Sequence, residues 1–176
     1  MKGMKVMNNQ TILNSITIKN IQTIYFDMDG TIADLYSQDT WLEKLQKELV
    51  NPYMDAAPMC NPLQLQKLLI QLQNYGVRIG VISWLAKESS RSFSVRTRYV
   101  KRKWLEKYLP LQFDEVHFIK YGTRKDYVAK DKFGLLFDDD EKVRNNWRGI
   151  AVNPKENSII EVLEKFLREI EKSFKK

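Results

Sequence analysis

Along the chain, short runs of apolar and β-branched residues alternate with longer stretches in which apolar residues return every three or four positions. The runs at 21–26 (IQTIYF), 77–82 (VRIGVI), 115–119 (EVHFI), 134–137 (GLLF) and 149–152 (GIAV) predict strands. Their nearly unbroken hydrophobicity suits strands covered on both faces, the habit of a parallel sheet with helices above and below it. Between them, the spacing predicts helices over 62–76, 87–108, 140–147 and 158–174. Pro62 opens the first of these and Gly76 stops it, while Pro110 follows the second. In the second, Phe93, Val100, Trp104 and Tyr108 are expected to face the core and the basic residues mostly to face outward. In the last, Ile159, Val162, Leu163, Phe166, Leu167 and Ile170 make one apolar stripe, expected to dock on the sheet, with a partner surface as the alternative. The predicted fold class is therefore α/β: a three-layer, Rossmann-like, parallel five-stranded sheet with helices on both faces.

Two segments break the rhythm. Residues 35–61 offer one helix near 39–49 and then a loop marked by prolines at 52, 58 and 62, which reads as a small helical insertion after the first strand. It is too short to hold a core of its own, so 21–176 is expected to form one domain. Residues 1–20 read as a polar lead-in, carrying either a strand near 16–18 or no fixed structure, and no signal peptide is read there.

Composition narrows the setting. A chain of 176 residues is long enough for a core without disulfides, and the lone Cys60 cannot form an internal one, which suits a reducing, cytoplasmic location. No stretch approaches the ~20 apolar residues of a membrane span, so no membrane role is expected. The net charge of +7 is concentrated. Residues 87–107 hold Lys87, Arg91, Arg96, Arg98, Lys101, Arg102, Lys103 and Lys107 against only Glu88 and Glu106. Such a stripe is either the solvated face of a helix or an attractant for an anionic partner such as nucleic acid.

Polar residues at the strand ends carry the candidate chemistry. The first strand ends in Asp27 and Asp29, the second in Ser83; Lys125 follows the third, and the fourth ends in Asp138, Asp139 and Asp140. Singly, each has an ordinary explanation as a helix cap or a solvated side chain. Together they converge on the carboxyl edge of a parallel sheet, where ligands of such folds bind. Two carboxylates ~4 Å apart repel by roughly 4 kcal/mol at an effective dielectric near 20, and a metal ion is the obvious compensation.

The stretches FDMDGT, VIS, the lysine and LLFDDD resemble the four motifs of the haloacid dehalogenase (HAD) superfamily, mostly Mg-dependent phosphohydrolases, over residues 21–152. The resemblance implies a HAD-like fold in which Asp27 is the nucleophile that forms an aspartyl-phosphate. It implies Mg²⁺ held by the Asp27 side chain, the Asp29 backbone carbonyl and a carboxylate of the last motif. Asp139 is favoured as the direct ligand, with Asp138 reaching the ion through water; the reverse assignment stays open. Asp29 would be the general acid and base, swung toward substrate by the tight turn at Gly30 and Thr31. Ser83 would bond a phosphoryl oxygen beside backbone N–H groups near Met28 and Trp84. Lys125 would neutralise the nucleophile and the phosphoryl group; it is preferred over Lys120 and Lys130 because it opens the short helix before GLLF. Counting only that lysine and Mg²⁺, charge balance asks for a proton on Asp29.

The short spacings, 53 residues between Asp29 and Ser83 and 41 between Ser83 and Lys125, leave no room for a large cap. An open site, lightly covered by 35–61, is expected, in a monomer or a homodimer whose partner acts as a lid. The leading expectation is a phosphatase for a phosphorylated small molecule, a nucleoside monophosphate first, by loose likeness to deoxyribonucleotidases. Tyr36, Trp41 and Trp84 are near enough in sequence to stack on a base, or to pack in the core. The alternatives are a phosphatase for phosphorylated nucleic-acid ends, using the basic segment 87–107, and a non-enzymatic phosphate-receiver or binding domain. The order of the aspartates argues against a receiver. No Gly-x-x-x-x-Gly-Lys loop is present, and His117 lies within a strand run, where packing is its expected role.

Overall fold

The structure, a computed structural model, describes residues 21–175. The predicted lead-in, with its strand near 16–18, lies outside the described residues. Five strands form one all-parallel sheet: β1 (Thr23–Phe26), β4 (Arg78–Trp84), β5 (Glu115–Ile119), β6 (Leu135–Phe137) and β7 (Ile150–Val152). Their order is β5–β4–β1–β6–β7. The chain runs outward from β1 through β4 to β5, then returns to the other side of β1 at β6. That reversal opens a crevice at the carboxyl ends of β1 and β6, where an open α/β sheet binds its ligands.

Alternation explains why the strands read as unbroken apolar runs. Ile24, Phe26, Ile79, Val81, Leu135 and Phe137 point to one face, while Tyr25, Ile82 and Leu136 point to the other. The first face is covered by α3 (Pro62–Asn74), through Leu65, Leu68, Leu69 and Leu72, and by α6 (Ile159–Phe174), through all six residues of its predicted stripe. The second is covered by α5 (Glu141–Asn146) and the segment around Ala129, with Val143 and Trp147 packed on the strands. Both faces are covered over the central strands, which is why most residues on either side are apolar.

The insertion has more structure than its prolines predict. After a short ribbon strand β2 (Ala33–Asp34) come α1 (Trp41–Gln46) and α2 (Asn51–Asp55), and β3 (Ala57–Pro58) pairs antiparallel with β2. The predicted helix 39–49 is cut to α1 because Thr40 and Glu48 turn left-handed at φ 58° and 56°. The first part of the loop expected after residue 49 is instead the helix α2, with Pro52 in its first turn, where no N–H is required of it.

Helix α4 (Arg91–Tyr108) starts four residues later than the periodicity predicts. Ser90 caps it, its Oγ accepting from the Phe93 N–H at 3.1 Å, and the Glu48 carboxylate accepts both the Ser90 N–H and Oγ–H at 2.7 Å. Phe93 and Val100 pack with Leu35, Leu45 and Tyr53, and the Trp104 indole donates to the Ala56 carbonyl at 2.7 Å. The insertion is thereby clamped to α4. One residue departs from its predicted outward orientation: Lys101 is buried, 1% exposed.

Candidate active site

The turn after β1 is built by one carbonyl. Met28 O accepts from the N–H groups of Thr31, Ile32 and Ala33 at 3.1, 3.0 and 2.8 Å, and Gly30 N–H donates to Ala33 O at 2.9 Å. Gly30 takes φ +76°, and a Cβ there would lie 2.5 Å from Asp139 Oδ2 and 2.5 Å from the Tyr36 ring. Both the backbone and the neighbours therefore demand glycine. Thr31 Oγ1 accepts the Asp139 N–H at 3.2 Å, tying this turn to the end of β6. Gly30→Ala is expected to cost at least about 2 kcal/mol, roughly 4–8 °C in a thermal melt of a chain this size. An unchanged melting temperature would contradict that packing.

Asp27, Asp138 and Asp139 each bring a carboxylate oxygen within 4.8 Å of the others. They come from two strand ends 111 residues apart in sequence and adjacent in the sheet. Lys125, on a short 3-10 helix (Lys125–Tyr127), reaches into them: its Nζ donates to Asp27 Oδ1 at 2.6 Å and to Asp138 Oδ2 at 2.7 Å. Of the three lysines weighed from the sequence, Lys125 is the one with these contacts. Asp138 also accepts the Asp140 N–H through Oδ1 at 3.0 Å, so both of its oxygens are engaged. Asp139 is bonded at Oδ2 by Lys155, 3.0 Å away at the rim. Asp140 caps α5 by accepting the Val143 N–H and stands apart from the cluster.

Asp29 turns elsewhere. Its Oδ2 lies 2.5 Å from the Lys101 Nζ, which also donates to Ser83 Oγ at 2.9 Å and to the Trp84 carbonyl at 2.8 Å. Ser83 is fully buried beneath this lysine and lines no part of the cavity above. The Met28 side chain is likewise buried in the core, so only its backbone could serve a ligand.

Electrostatics follow from burial. Desolvation pushes the Asp29 carboxyl above the usual Asp range against the pull of Lys101, and pushes Asp138 up to about 7 against the pull of Lys125. Burial also raises Asp139, opposed by Lys155. For Lys125, burial works against the charge, but Asp27 and Asp138 overcome it and raise its pKa. The four carboxylates Asp27, Asp29, Asp138 and Asp139 face two buried ammonium groups, Lys101 and Lys125. Lys155 adds a third, partly exposed ammonium at Asp139, and the carboxylates still outnumber the cations that contact them. Lys101 and Lys155 enter the balance drawn from Lys125 alone, and burial still favours the protonated form of Asp29. A cluster of three carboxylate oxygens within 4.8 Å of one another fits a hard cation such as Mg²⁺.

A cavity of about 730 Å³ opens over the carboxylates. The insertion supplies one wall through Tyr36, Trp41, Leu45 and Tyr53, and Trp84 and Tyr121 supply the other. The aromatics meet in pairs, Tyr36 with Trp41 at 5.0 Å and Trp84 with Tyr121 at 4.9 Å between ring centres. The Trp84 indole N–H donates to Thr123 O at 2.8 Å, which fixes that wall. His117 stands outside, paired with Glu115 at 3.0 Å.

Several site residues escaped the sequence reading, among them Tyr53, Tyr121, Lys155 and Lys101. Tyr121 and Lys155 sit in loops with no local signal. Lys101 had one: it lies four residues after Thr97 and three before Trp104, on the buried side of α4. Among the described residues no helix is long and apolar enough to cross a membrane. No family model matches the chain, and no curated protein matches it.

Proposed function

We propose that the protein is a Mg²⁺-dependent phosphatase of the HAD type, acting on a phosphomonoester through an aspartyl-phosphate at Asp27. The observation that carries this reading is the meeting of Asp27, Asp138 and Asp139, the first two bonded by Lys125, at the crevice between β1 and β6. Asp27, Asp139 and Asp138 would hold the cation, Asp139 directly, since Asp138 is engaged at both oxygens. When bound, Mg²⁺ offsets the repulsion between the carboxylates and an incoming phosphate dianion.

The steps fall to the chain's own residues. An Asp27 carboxylate oxygen attacks phosphorus in line, and the bond from phosphorus to the leaving oxygen breaks. Asp29 gives that oxygen its proton. Water then attacks phosphorus and yields its proton to Asp29; the bond from Asp27 to phosphorus breaks, and phosphate leaves. Lys125 steadies the charge on Asp27 throughout. The aromatic walls favour a flat leaving group, which supports a nucleoside monophosphate as the substrate class. The test is phosphate release across nucleotides and sugar phosphates with Mg²⁺ and with a chelator. Release from none of them would reject the reading.

Lys155 bears on the cation. Its ammonium occupies an Asp139 oxygen and is 55% exposed. Lys155→Ala is expected to tighten Mg²⁺ binding about two- to fivefold at low salt, with the gain shrinking as salt is added. Titration calorimetry at two ionic strengths measures it, and weaker binding would show that the lysine assists the site.

A second reading rests on α4. With Lys101 buried, Arg91, Arg96, Arg98, Arg102, Lys103 and Lys107 still share its exposed side. Phosphorylated nucleic-acid ends would exploit that stripe, and binding would weaken steeply between 50 and 200 mM salt. End-labelled DNA and RNA that bind equally at both concentrations would dismiss it.

A further inference from the structure

A lysine on the buried side of a helix is costly unless its charge is matched and its hydrogens are bonded, and Lys101 has one carboxylate and two further oxygen acceptors. Its three donors are spent on Asp29 Oδ2, Ser83 Oγ and the Trp84 carbonyl, and the Tyr53 ring closes over it at 4.7 Å. An ammonium has three hydrogens and no lone pair, so none is left for a substrate. Lys101 is 1% exposed and Ser83 0%, so neither is open to the cavity that Asp29 lines. Their effect on chemistry must pass through Asp29.

We propose that Lys101 is the positioning residue for Asp29, and that Ser83 is its anchor rather than a ligand of the substrate. The inference rests on the phosphatase reading and extends it. Oδ2 of Asp29 accepts from the ammonium, so the proton given to a leaving oxygen rides on the other oxygen, Oδ1. The lysine thus selects which oxygen does the transfer and holds it at one angle. Ser83 Oγ accepts from Lys101, as it must opposite an ammonium, and with the Trp84 carbonyl fixes the lysine from below. Helix α4 carries this arrangement, and its contacts to Tyr53 and Ala56 tie it to the wall of the cavity. A displacement of about 1 Å at a proton-transfer group is enough to cost some 10²-fold in rate.

Leaving-group dependence separates positioning from mere structural support. A nucleoside 5′-monophosphate must have its alcohol protonated as it departs, whereas 4-nitrophenyl phosphate releases a stable phenolate. The value of kcat/KM reports only the steps up to transfer onto Asp27, so the later use of Asp29 as a base does not enter. In Lys101→Met, kcat/KM is expected to fall about 100-fold for the nucleotide and less than about fivefold for the nitrophenyl ester. Ser83→Ala should show the same selectivity in milder form, and the double variant should lose little beyond Lys101→Met alone. Should Lys101→Met fail to fold, Ser83→Ala carries the same comparison. Equal losses on the two esters in either variant overturn the proposal, because a phosphoryl contact or a general loosening affects both alike. If the wild type releases phosphate from both esters and Asp27→Asn abolishes it, such equal losses defeat this inference alone. A wild type inactive on both defeats the phosphatase reading and this one with it.

Discussion

Asp27→Asn is expected to reduce Mg²⁺-dependent phosphate release by at least about 10³-fold while the fold survives, because an amide cannot serve as the nucleophile. The substitution keeps the side chain's shape. Lys125 keeps its second partner, Asp138, at 2.7 Å, and the repulsion among three carboxylates within 4.8 Å is relieved. Melting of the metal-free protein is accordingly expected to shift by no more than about 1 kcal/mol equivalent. The gain in melting temperature on adding Mg²⁺ should shrink, since one of the three clustered carboxylates becomes neutral. Phosphate assay and calorimetry on the same sample measure both. Activity that persists would remove Asp27 from the nucleophile's role whatever the cluster binds.

The largest stability effect is expected at Lys125. Lys125→Met strips the cation from Asp27 and Asp138, whose side chains are 9% and 1% exposed, and leaves two buried carboxyl groups without an opposite charge. Breaking such a pair from one side costs about 3–5 kcal/mol, roughly 6–20 °C for a chain of this length. The loss should depend on pH. Burial already lifts the Asp138 carboxyl to about 7 with the ammonium present, and without it the value rises further. A carboxyl whose folded pKa exceeds its unfolded one holds more protons when folded, so stability falls as pH climbs from the ordinary Asp value toward the higher one. The variant should therefore be weaker at pH 8 than at pH 5. Mg²⁺ should restore more stability to it than to the wild type, because the cation replaces the missing charge. A melt insensitive to Mg²⁺ in both proteins would speak against a cation among these carboxylates.

The insertion and α4 illustrate where sequence reading weakens. Prolines at 52 and 58 predict a loop, yet Pro52 sits where a helix needs no N–H, and α2 forms because Tyr53 has Leu45, Phe93 and Val100 to pack against. Helical spacing carried the prediction of α4 back to residue 87, while Ser90 and Glu48, 42 residues apart, fix its start at 91. Caps made across such distances leave no trace in local periodicity. Lys101 was masked differently. Seven other cations share its segment, and a lysine among lysines reads as solvated until its place beside Trp104 and Thr97 is counted.

Local sequence chemistry accounts for the five sheet strands, for the helices laid against them and for the delivery of Asp27, Asp29, Ser83, Asp138 and Asp139 to the carboxyl ends of the strands. Those follow from local chemistry: apolar runs must be buried on both faces, and the first polar residue after each run emerges at an edge. Which edges adjoin, and what faces each carboxylate, is settled in three dimensions. The order β5–β4–β1–β6–β7 sets Asp138 beside Asp27, while Lys101 arrives from a helix to take Asp29, Ser83 and the Trp84 carbonyl at once. The physical reason is range. Burial and backbone preference act over a few residues and can be read along a line, but the matching of buried charges depends on who is near in space.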